Sequence, residues 1–254
     1  MAIFSQIKLL VGNALCSPII SSLISTTFKG LIPSRGFTVD TNNDSIPQCN
    51  AASLFWGLYE RKEIEFVRKF LRRNLDVIEL GSSLGVISLH IVKCQDRNQK
   101  TICVEANPYL IKTIEENIKL NVSWKKVEVL NRAIDYSGQS EVTFYISKNN
   151  LGSHVSHNED AQPTLVKTAT LKELIYNYQI KDFALVSDIE GAEAGMIFKD
   201  KEALIQCKQI IIELHPISYE GHTYSVNELR EKIENLHGFN LIAQRHGVCV
   251  FERD

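Results

Sequence analysis

The chain is 254 residues long and 44% hydrophobic, which is enough to bury one sizeable core. Its formal net charge of −2 gives no global positive field, so the composition argues against a general nucleic-acid-binding protein. The six cysteines are scattered without a C-x-x-C pair, which is typical of small core residues in a reducing, cytoplasmic compartment.

The N-terminal region contains a stretch, residues 9–28, that carries no charged side chain. It is long enough to span a bilayer, but Asn13, Pro18 and several Ser and Thr residues make it only borderline apolar. We favour a helix packed on the domain, with a peripheral membrane helix and a spanning anchor as alternatives. We therefore expect residues 1–50 to form a helical extension and connector, and residues 51–254 to form the main domain.

Residues 51–73 show aromatic side chains near one helical face and basic side chains towards the end. This pattern predicts an amphipathic helix whose basic residues lie near the negative end of the helix dipole. The basic run is accordingly interpreted as a solvated face and not as a nucleic-acid patch.

The next segment, residues 75–86, combines a buried strand, an acid, a glycine turn and a helix start. Gly81 ends the strand in a sharp turn and Gly85 opens the helix, so the turn aims free N–H groups at a ligand above the strand. A dinucleotide site would carry G-x-G-x-x-G, and Glu79 would repel its pyrophosphate. The carboxylate of Glu79 suits the ammonium of S-adenosylmethionine instead. A plain strand-to-helix turn is the alternative.

A second acid, Glu105, follows the next predicted strand, residues 101–104. Its distance from Glu79 is close to the spacing at which nucleoside-binding βαβ units present an acid to ribose hydroxyls. Asn107 and Pro108 look like a helix start, so Glu105 also suits the positive end of the following helix. The two interpretations are compatible.

Beyond Glu105, predicted strands and helices alternate to residue 216, and two tightly joined strands follow the last helix. Residues 147–164 form a polar stretch that we interpret as a loop or lid of the kind often used for binding. Its His154 and His157 lack a third metal ligand at suitable spacing. The alternation predicts an α/β fold with a doubly wound, mostly parallel sheet, and the closing antiparallel hairpin is the pattern of the seven-stranded methyltransferase fold.

Residues 59–216 resemble the FkbM-type S-adenosylmethionine-dependent methyltransferases. The resemblance depends on these motifs: Tyr59-Glu60, VIELGSSLG, VEANP, NRAI, TLKEL, DIEGAE and IIIELHP. The chain departs from the common family pattern at Glu79, usually Asp, at Ser82-Ser83, usually Ala-Asn, and at Val186, usually Lys. The resemblance implies a class I, Rossmann-like methyltransferase domain that uses S-adenosylmethionine.

The family implies methylation of a hydroxyl on a sugar, glycan or secondary metabolite. An N-methyltransferase acting on another small molecule and a non-catalytic nucleoside-binding module are the alternatives. A nucleic-acid acceptor is not expected, because DIEGAE offers neither a stacking ring nor basic neighbours. The residues expected to bind the cofactor are Glu79, Gly81, Ser83, Gly85, Glu105, Ala106 and Ala133.

The expected catalytic groups lie at the carboxyl ends of two predicted strands, where ligands of such sheets bind. Asp188 or Glu190 can accept a hydroxyl proton, or both can hold a divalent cation together with Glu213. His215 is a second candidate base, and a histidine satisfied by loop backbone is its alternative. No metal ligand is assigned from the sequence.

Overall fold

The computed structural model describes residues 14–146 and 162–253. In the N-terminal part the elements are α1 Pro18–Phe28, β1 Leu31–Ser34, β2 Phe37–Asp40, α2 Cys49–Phe55 and α3 Arg61–Phe70. The middle of the chain contains β3 Asp76–Leu80, α4 Val86–Cys94, β4 Thr101–Glu105, α5 Ile111–Asn121, β5 Glu128–Asn131, β6 Ala133–Ile134, β7 Glu141–Ile146 and β8 Gln162–Ala169. The last part contains α6 Leu171–Tyr178, β9 Phe183–Ser187, α7 Glu193–Lys199, α8 Lys201–Gln206, β10 Cys207–Glu213, β11 Ile217–Tyr219, β12 His222–Tyr224, α9 Val226–His237, β13 Asn240–Arg245 and β14 Val248–Glu252.

A seven-stranded sheet forms the centre, in the order β13-β14-β10-β9-β3-β4-β5. The five strands from β5 to β10 pair in parallel, and β14 pairs antiparallel with both β10 and β13. Successive residues of β3 face opposite layers: Val77 joins one hydrophobic cluster and Ile78 the other, both fully buried. The predicted doubly wound fold with a closing hairpin is confirmed.

The strand order reverses between β3 and β9, because the chain moves outward through β4 and β5 on one side and through β10 on the other. Open α/β sheets bind ligands outside the carboxyl ends of the strands at such a reversal. The glycine turn after β3 and the acidic segment after β9 therefore meet at one place. The backbone N–H of Asp188 donates to the carbonyl of Leu80 over 2.9 Å at this edge.

The N-terminal extension packs on the central domain. Ile32 and Val39 are fully buried in the same cluster as Val77. Asn117 of α5 accepts a 2.6 Å hydrogen bond from the Asp40 backbone N–H and donates to the carbonyl of Leu84 over 2.9 Å. The hairpin of β1 and β2 is thus tied to the glycine turn through one asparagine.

Helix α1 contains the second half of the uncharged stretch, whose residues 9–13 lie outside the described part of the chain. Ser21 and Ile24 are buried, whereas Ile19 and Leu23 are 82% and 67% exposed. Within residues 14–146 and 162–253, no helix has both the length and the apolar character needed to cross a bilayer. Peripheral membrane contact through residues 9–28 stays a prediction, as does the division at residue 50, which falls inside α2.

Two local predictions are wrong. The helix over residues 51–73 is broken into α2 and α3, because Gly57 and Glu60 adopt left-handed backbone conformations, with φ of 64° and 43°. Glycine reaches this region without a Cβ penalty and commonly ends a helix there. The loop predicted over residues 147–164 is wrong only for its last three residues, which belong to strand β8 and pair with β7. Residues 147–161 lie outside the described part of the chain. His154 and His157 lie outside the described residues.

Candidate active site

A cavity of about 590 Å³ opens at the carboxyl ends of β3, β4 and β9. Its floor comes from the central domain, and one wall comes from the N-terminal extension. The extension contributes Cys16, Ser45, Ile46, Pro47, Cys49 and Asn50 to that wall. The cavity lies at the reversal of strand order, where the fold predicts a ligand.

The glycine turn brings the ends of β3 and β9 into direct contact. Gly81 has a φ of 84°, and a Cβ at this position would lie 1.8 Å from the carbonyl oxygen of Asp188. Gly85 has a φ of 77° and caps α4. Between them Ser83 also adopts a positive φ, of 48°, which costs energy for a residue with a side chain. Its backbone N–H donates to Glu105 over 2.8 Å, and this contact helps to hold the conformation.

Glu79 lies behind the turn. It is only 1% exposed, and its Oε2 accepts hydrogen bonds from the hydroxyls of Ser82 and Ser88. Burial raises the pKa of this carboxyl. Glu79 does not line the large cavity but a smaller one of about 20 Å³, and its Oε1 has no hydrogen-bond partner. Its predicted contact with the cofactor stays a prediction.

Glu105 lines the large cavity although it is only 7% exposed. Besides the bond from Ser83, it accepts a 2.7 Å hydrogen bond from the backbone N–H of Asn107. Burial raises the pKa of Glu105 to about 7, against the lowering effect of these backbone donors. The carboxylate thus stabilises both the glycine turn and the segment that leads into α5. Ala106 and Ala133 line the cavity beside it.

The expected catalytic acids follow β9. The strand ends at Ser187, and Glu190 has a φ of 48°, so the backbone that carries the two acids is not extended as far as Glu190. Asp188 and Glu190 nevertheless both line the large cavity. Burial, followed by the negative charges of Glu190 and Glu213, raises the pKa of Asp188 to about 8.

His215 follows β10 and lies between two carboxylates. Its Nδ1 is 3.4 Å from Oε1 of Glu193, and its Nε2 is 3.8 Å from Oε2 of Glu190. The contact with Glu193 is the main reason that the pKa of His215 rises to about 9, against the effect of burial. The imidazole is therefore paired with acids and not satisfied by loop backbone. It does not line the large cavity.

One group of three residues has the geometry of a metal site. One ligand atom each from Asp188, Glu213 and His215 lie within 4.8 Å of one another. Within the part of the chain that the structure describes, no other cluster of three or more such residues has this geometry.

Two acids on the segment before and within α3 belong to the site although no role was predicted for them. Glu60 lines both cavities, its Oε2 has no partner, and burial, followed by the charge of Asp188, raises its pKa well above the usual range. Burial is also the main cause that raises the pKa of Glu63 to about 7. Tyr59 places its hydroxyl 2.8 Å from Oγ of Ser83. In the sequence, the Tyr59-Glu60 motif was the signal that could have identified these residues as part of the site.

Among the charged residues that line the large cavity, acids outnumber basic residues. Its acids are Glu60, Glu63, Glu105, Asp188, Glu190 and Glu213, and its basic residues are Arg61, Lys62 and Arg132. An excess of carboxylates disfavours ligands that carry several phosphates. It suits ligands that are neutral or cationic.

The fold and the site together define a class I methyltransferase architecture. Residues 81–241 match the model of the methyltransferase FkbM domain. This match covers more than half of the chain, so the protein belongs to the FkbM methyltransferase family. It is an S-adenosylmethionine-dependent methyltransferase, and the predicted family is confirmed.

Several solved structures are similar to the chain. The L11 ribosomal protein methylase of Lactobacillus delbrueckii subsp. bulgaricus is 11% identical, with a TM-score of 0.45 and coverage of 77% of each chain. The rRNA methylase of Streptococcus thermophilus is 9% identical, with a TM-score of 0.45 and coverage of 76% of this chain and 95% of that one. A candidate tRNA methyltransferase of Streptococcus pneumoniae with bound S-adenosylmethionine is 14% identical, with a TM-score of 0.42 and coverage of 75% and 72%. No curated protein matches the chain.

Proposed function

We propose that the protein transfers the methyl group of S-adenosylmethionine to a hydroxyl of a small molecule or glycan that carries no phosphate. The observation that carries this proposal is the acidic cluster at the reversal point, where Asp188 and Glu190 line the same cavity as Glu105 and the glycine turn. This arrangement puts proton acceptors beside a site for a nucleoside. A sugar or secondary-metabolite hydroxyl suits both features.

The cavity suits the cofactor in size and polarity. Its volume of about 590 Å³ falls within the range of about 300–1,000 Å³ that is usual for small-ligand sites. Glu105 would accept hydrogen bonds from ribose hydroxyls, and Ala106 and Ala133 would lie beside the base. Gly81, Ser83 and Gly85 would leave room for the methionine part, whose carboxylate would face the start of α4.

The chemistry requires a proton acceptor and an aligned hydroxyl. The cofactor supplies an electrophilic methyl group on its sulfonium. The acceptor oxygen forms a bond to that methyl carbon as the carbon–sulfur bond breaks, and the hydroxyl proton passes to a protein base. Asp188 and Glu190 line the cavity, and the more exposed Glu190 can take this proton. Much of the rate can come from positioning.

An amine acceptor is the second candidate, favoured by the same excess of acids over basic residues in the cavity lining. A protonated amine would be attracted to the carboxylates but would have to lose its proton before it could react. A nucleic-acid acceptor is disfavoured, because its phosphates would face six acids and three basic residues. A non-catalytic nucleoside-binding module would have no use for the group of acids after β9.

The test is an acceptor panel with the cofactor in excess and release of S-adenosylhomocysteine as the readout. The panel contains neutral polyols and monosaccharides, phenolic and aliphatic secondary metabolites, primary amines and unmodified tRNA. Turnover that needs a hydroxyl supports the proposal, with the methylated atom identified by NMR of the product. Turnover only with amines or only with tRNA would contradict the proposal and would assign the enzyme to that acceptor class instead.

A further inference from the structure

Three potential ligand atoms converge where two neighbouring parallel strands end. Asp188 follows β9, and Glu213 ends β10, with His215 two residues further on. The three atoms lie within 4.8 Å of one another. Carboxylate oxygens and imidazole nitrogens bind divalent cations at about 2.0–2.6 Å, so ligands on opposite sides of one ion lie about 4–5 Å apart. The spread of the three atoms is therefore the size of one coordination sphere.

An independent observation comes from the small cavity beneath this group. Asp188 and Glu213 line it together with Glu79 and Ser187, which are only 1% and 3% exposed. Oε1 of Glu79 and Oγ of Ser187 have no hydrogen-bond partner. Buried polar atoms without a partner are costly and are rare in folded proteins. The cavity of about 20 Å³ has room for about one water molecule, which could be a ligand of an ion and satisfy both atoms.

The charge of this small cavity points to a cation. Its other titratable lining residues are Glu60 and Glu63, and no lysine or arginine lines it. Several carboxylates at one buried place require a positive partner or must take up protons. A divalent ion would balance two of these charges directly.

His215 has a buried carboxylate partner at Nδ1. Glu193, whose side chain is fully buried, lies 3.4 Å from Nδ1 and also accepts a 2.7 Å hydrogen bond from the backbone N–H of Gly191. A proton on Nδ1 leaves the lone pair of Nε2 free for the site. Histidine ligands of metals are typically held from behind by such a carboxylate.

We propose that Asp188, Glu213 and His215 bind one divalent metal ion, and that Glu193 positions the imidazole. Mixed carboxylate and imidazole ligands suit ions such as Mn²⁺ and Zn²⁺. The role of the ion rests on the proposed function: it lies beside the acceptor and acidifies the bound hydroxyl. This leaves Glu190, which is more exposed than Asp188 and Glu213, to accept the proton.

The test measures metal binding without turnover. Protein stripped with a chelator is titrated with Mn²⁺, and free Mn²⁺ is followed by electron paramagnetic resonance; metal content is measured after a separate equilibration with Zn²⁺. We expect one ion per chain and a spin-echo modulation from one imidazole nitrogen. Glu213→Gln and His215→Gln should each weaken Mn²⁺ binding at least about tenfold, and Glu193→Gln should weaken it about tenfold.

Glu231→Gln, on the exposed face of α9, is the matched control and should bind Mn²⁺ like the wild type. Circular dichroism checks that each variant is folded. If Glu193→Gln does not fold, His215→Gln still decides the test, because His215 is partly exposed and its substitution should not unfold the protein. Binding of neither metal below about 1 mM would overturn the proposal. Unchanged binding in both Glu213→Gln and His215→Gln would do the same.

Calorimetry with S-adenosylmethionine in the presence of chelator separates this proposal from the proposed function. Cofactor binding and hydroxyl methylation without any bound metal would overturn only the proposed role of the ion in catalysis, and would point to the cofactor's ammonium as the cation of this acidic cluster during turnover. Metal binding that depends on His215, without turnover of any hydroxyl acceptor, would support the metal site and overturn only the O-methylation.

Discussion

At the residue scale, the proposed chemistry depends most on Glu190. It lines the cavity, its side chain is 38% exposed, and it is the most exposed of the acids that line the cavity. Glu190→Gln keeps the size of the side chain and removes its basicity. We expect methyl transfer to a verified acceptor to fall about 10²-fold or more, the usual scale for losing a general base. Steady-state kinetics with calorimetry for the cofactor would check this.

The matched control for Glu190→Gln is again Glu231→Gln, which leaves the cavity unchanged. Cofactor affinity should stay within about twofold in both variants, because Glu190 is not placed at the nucleoside end. A turnover number near the wild-type value in Glu190→Gln would show that another group accepts the proton.

Glu105 carries a second prediction at the same scale. Glu105→Ala removes the acceptor proposed for the ribose hydroxyls, and hydrogen bonds to a charged group contribute about 1.5–3 kcal/mol. We therefore expect cofactor affinity to fall by about tenfold or more in calorimetry. The variant should also lose conformational stability, since Glu105 accepts hydrogen bonds from the backbone of Ser83 and Asn107.

Glu115→Gln on the exposed side of α5 is the control for this substitution. Urea unfolding separates the two effects, because a loss of folded protein lowers the number of binding sites and leaves the dissociation constant of the folded fraction unchanged. If folded Glu105→Ala binds the cofactor with wild-type affinity, the Glu105 carboxylate is not part of the cofactor site.

The sequence predicted single residues well where a motif is local. Glu105 and the glycines of the turn were found because strand, acid and glycine follow one another in the chain. Glu60, Glu63 and Glu193 were missed as members of the site, because their roles depend on contacts that only the folded chain creates. No spacing rule connects Glu60 with Asp188.

At the scale of elements, the turn between β3 and α4 depends on the absence of a side chain at Gly81. A Cβ there would lie 1.8 Å from the Asp188 carbonyl oxygen, and the φ of 84° disfavours any other residue. Gly138 offers a matched control, because its φ is 83° and nothing lies within 4 Å of an added Cβ. Gly138→Ala should cost about 1–2 kcal/mol of unfolding free energy, from the backbone conformation alone.

Gly81→Ala adds the clash with β9 to that backbone cost. We expect it to lose a further 1–3 kcal/mol, roughly the cost of overpacking, and to weaken cofactor binding because the turn must move. Urea unfolding of both variants is the measurement. Equal losses in the two variants would show that the close approach of the two strand ends is not needed for stability.

The break between α2 and α3 shows why an element boundary was mispredicted. Apolar periodicity continues through residues 51–73, but Gly57 takes a left-handed conformation and Arg35 donates a hydrogen bond to its carbonyl from the N-terminal extension. That contact spans distant parts of the chain. The helical pattern therefore could not reveal that Tyr59 and Glu60 turn towards the cavity.

At the scale of the whole molecule, the alternation of strands and helices predicted the sheet because parallel strands need crossovers, and these follow one handedness. The extension was harder to place. It supplies a wall of the cavity through residues such as Ile46 and Asn50, and it shares the core of the sheet through Ile32 and Val39. This long-range packing is also why the sequence names the class of acceptor only coarsely.

The packing of the extension on the sheet also affects stability in acid, through His90. This residue of α4 is only 2% exposed, its ring lies 4.9 Å from that of Phe37 in β2, and its Nε2 has no hydrogen-bond partner. Burial, helped by the charges of Arg68, Arg35 and Lys93, lowers the pKa of His90 to about 4.

His90 is therefore neutral in the folded protein, while it takes up a proton near pH 6.5 when the chain unfolds. The unfolded state binds more protons between these values, so this contribution to stability is fully present above pH 6.5 and is lost as the pH falls towards 4. The contribution of His90 to the free energy of unfolding is at most about 3 kcal/mol. Urea unfolding at pH 7.5 and at pH 5 should show a loss of stability that is smaller in His90→Gln. An equal pH dependence in wild type and His90→Gln would mean that other groups determine the acid stability.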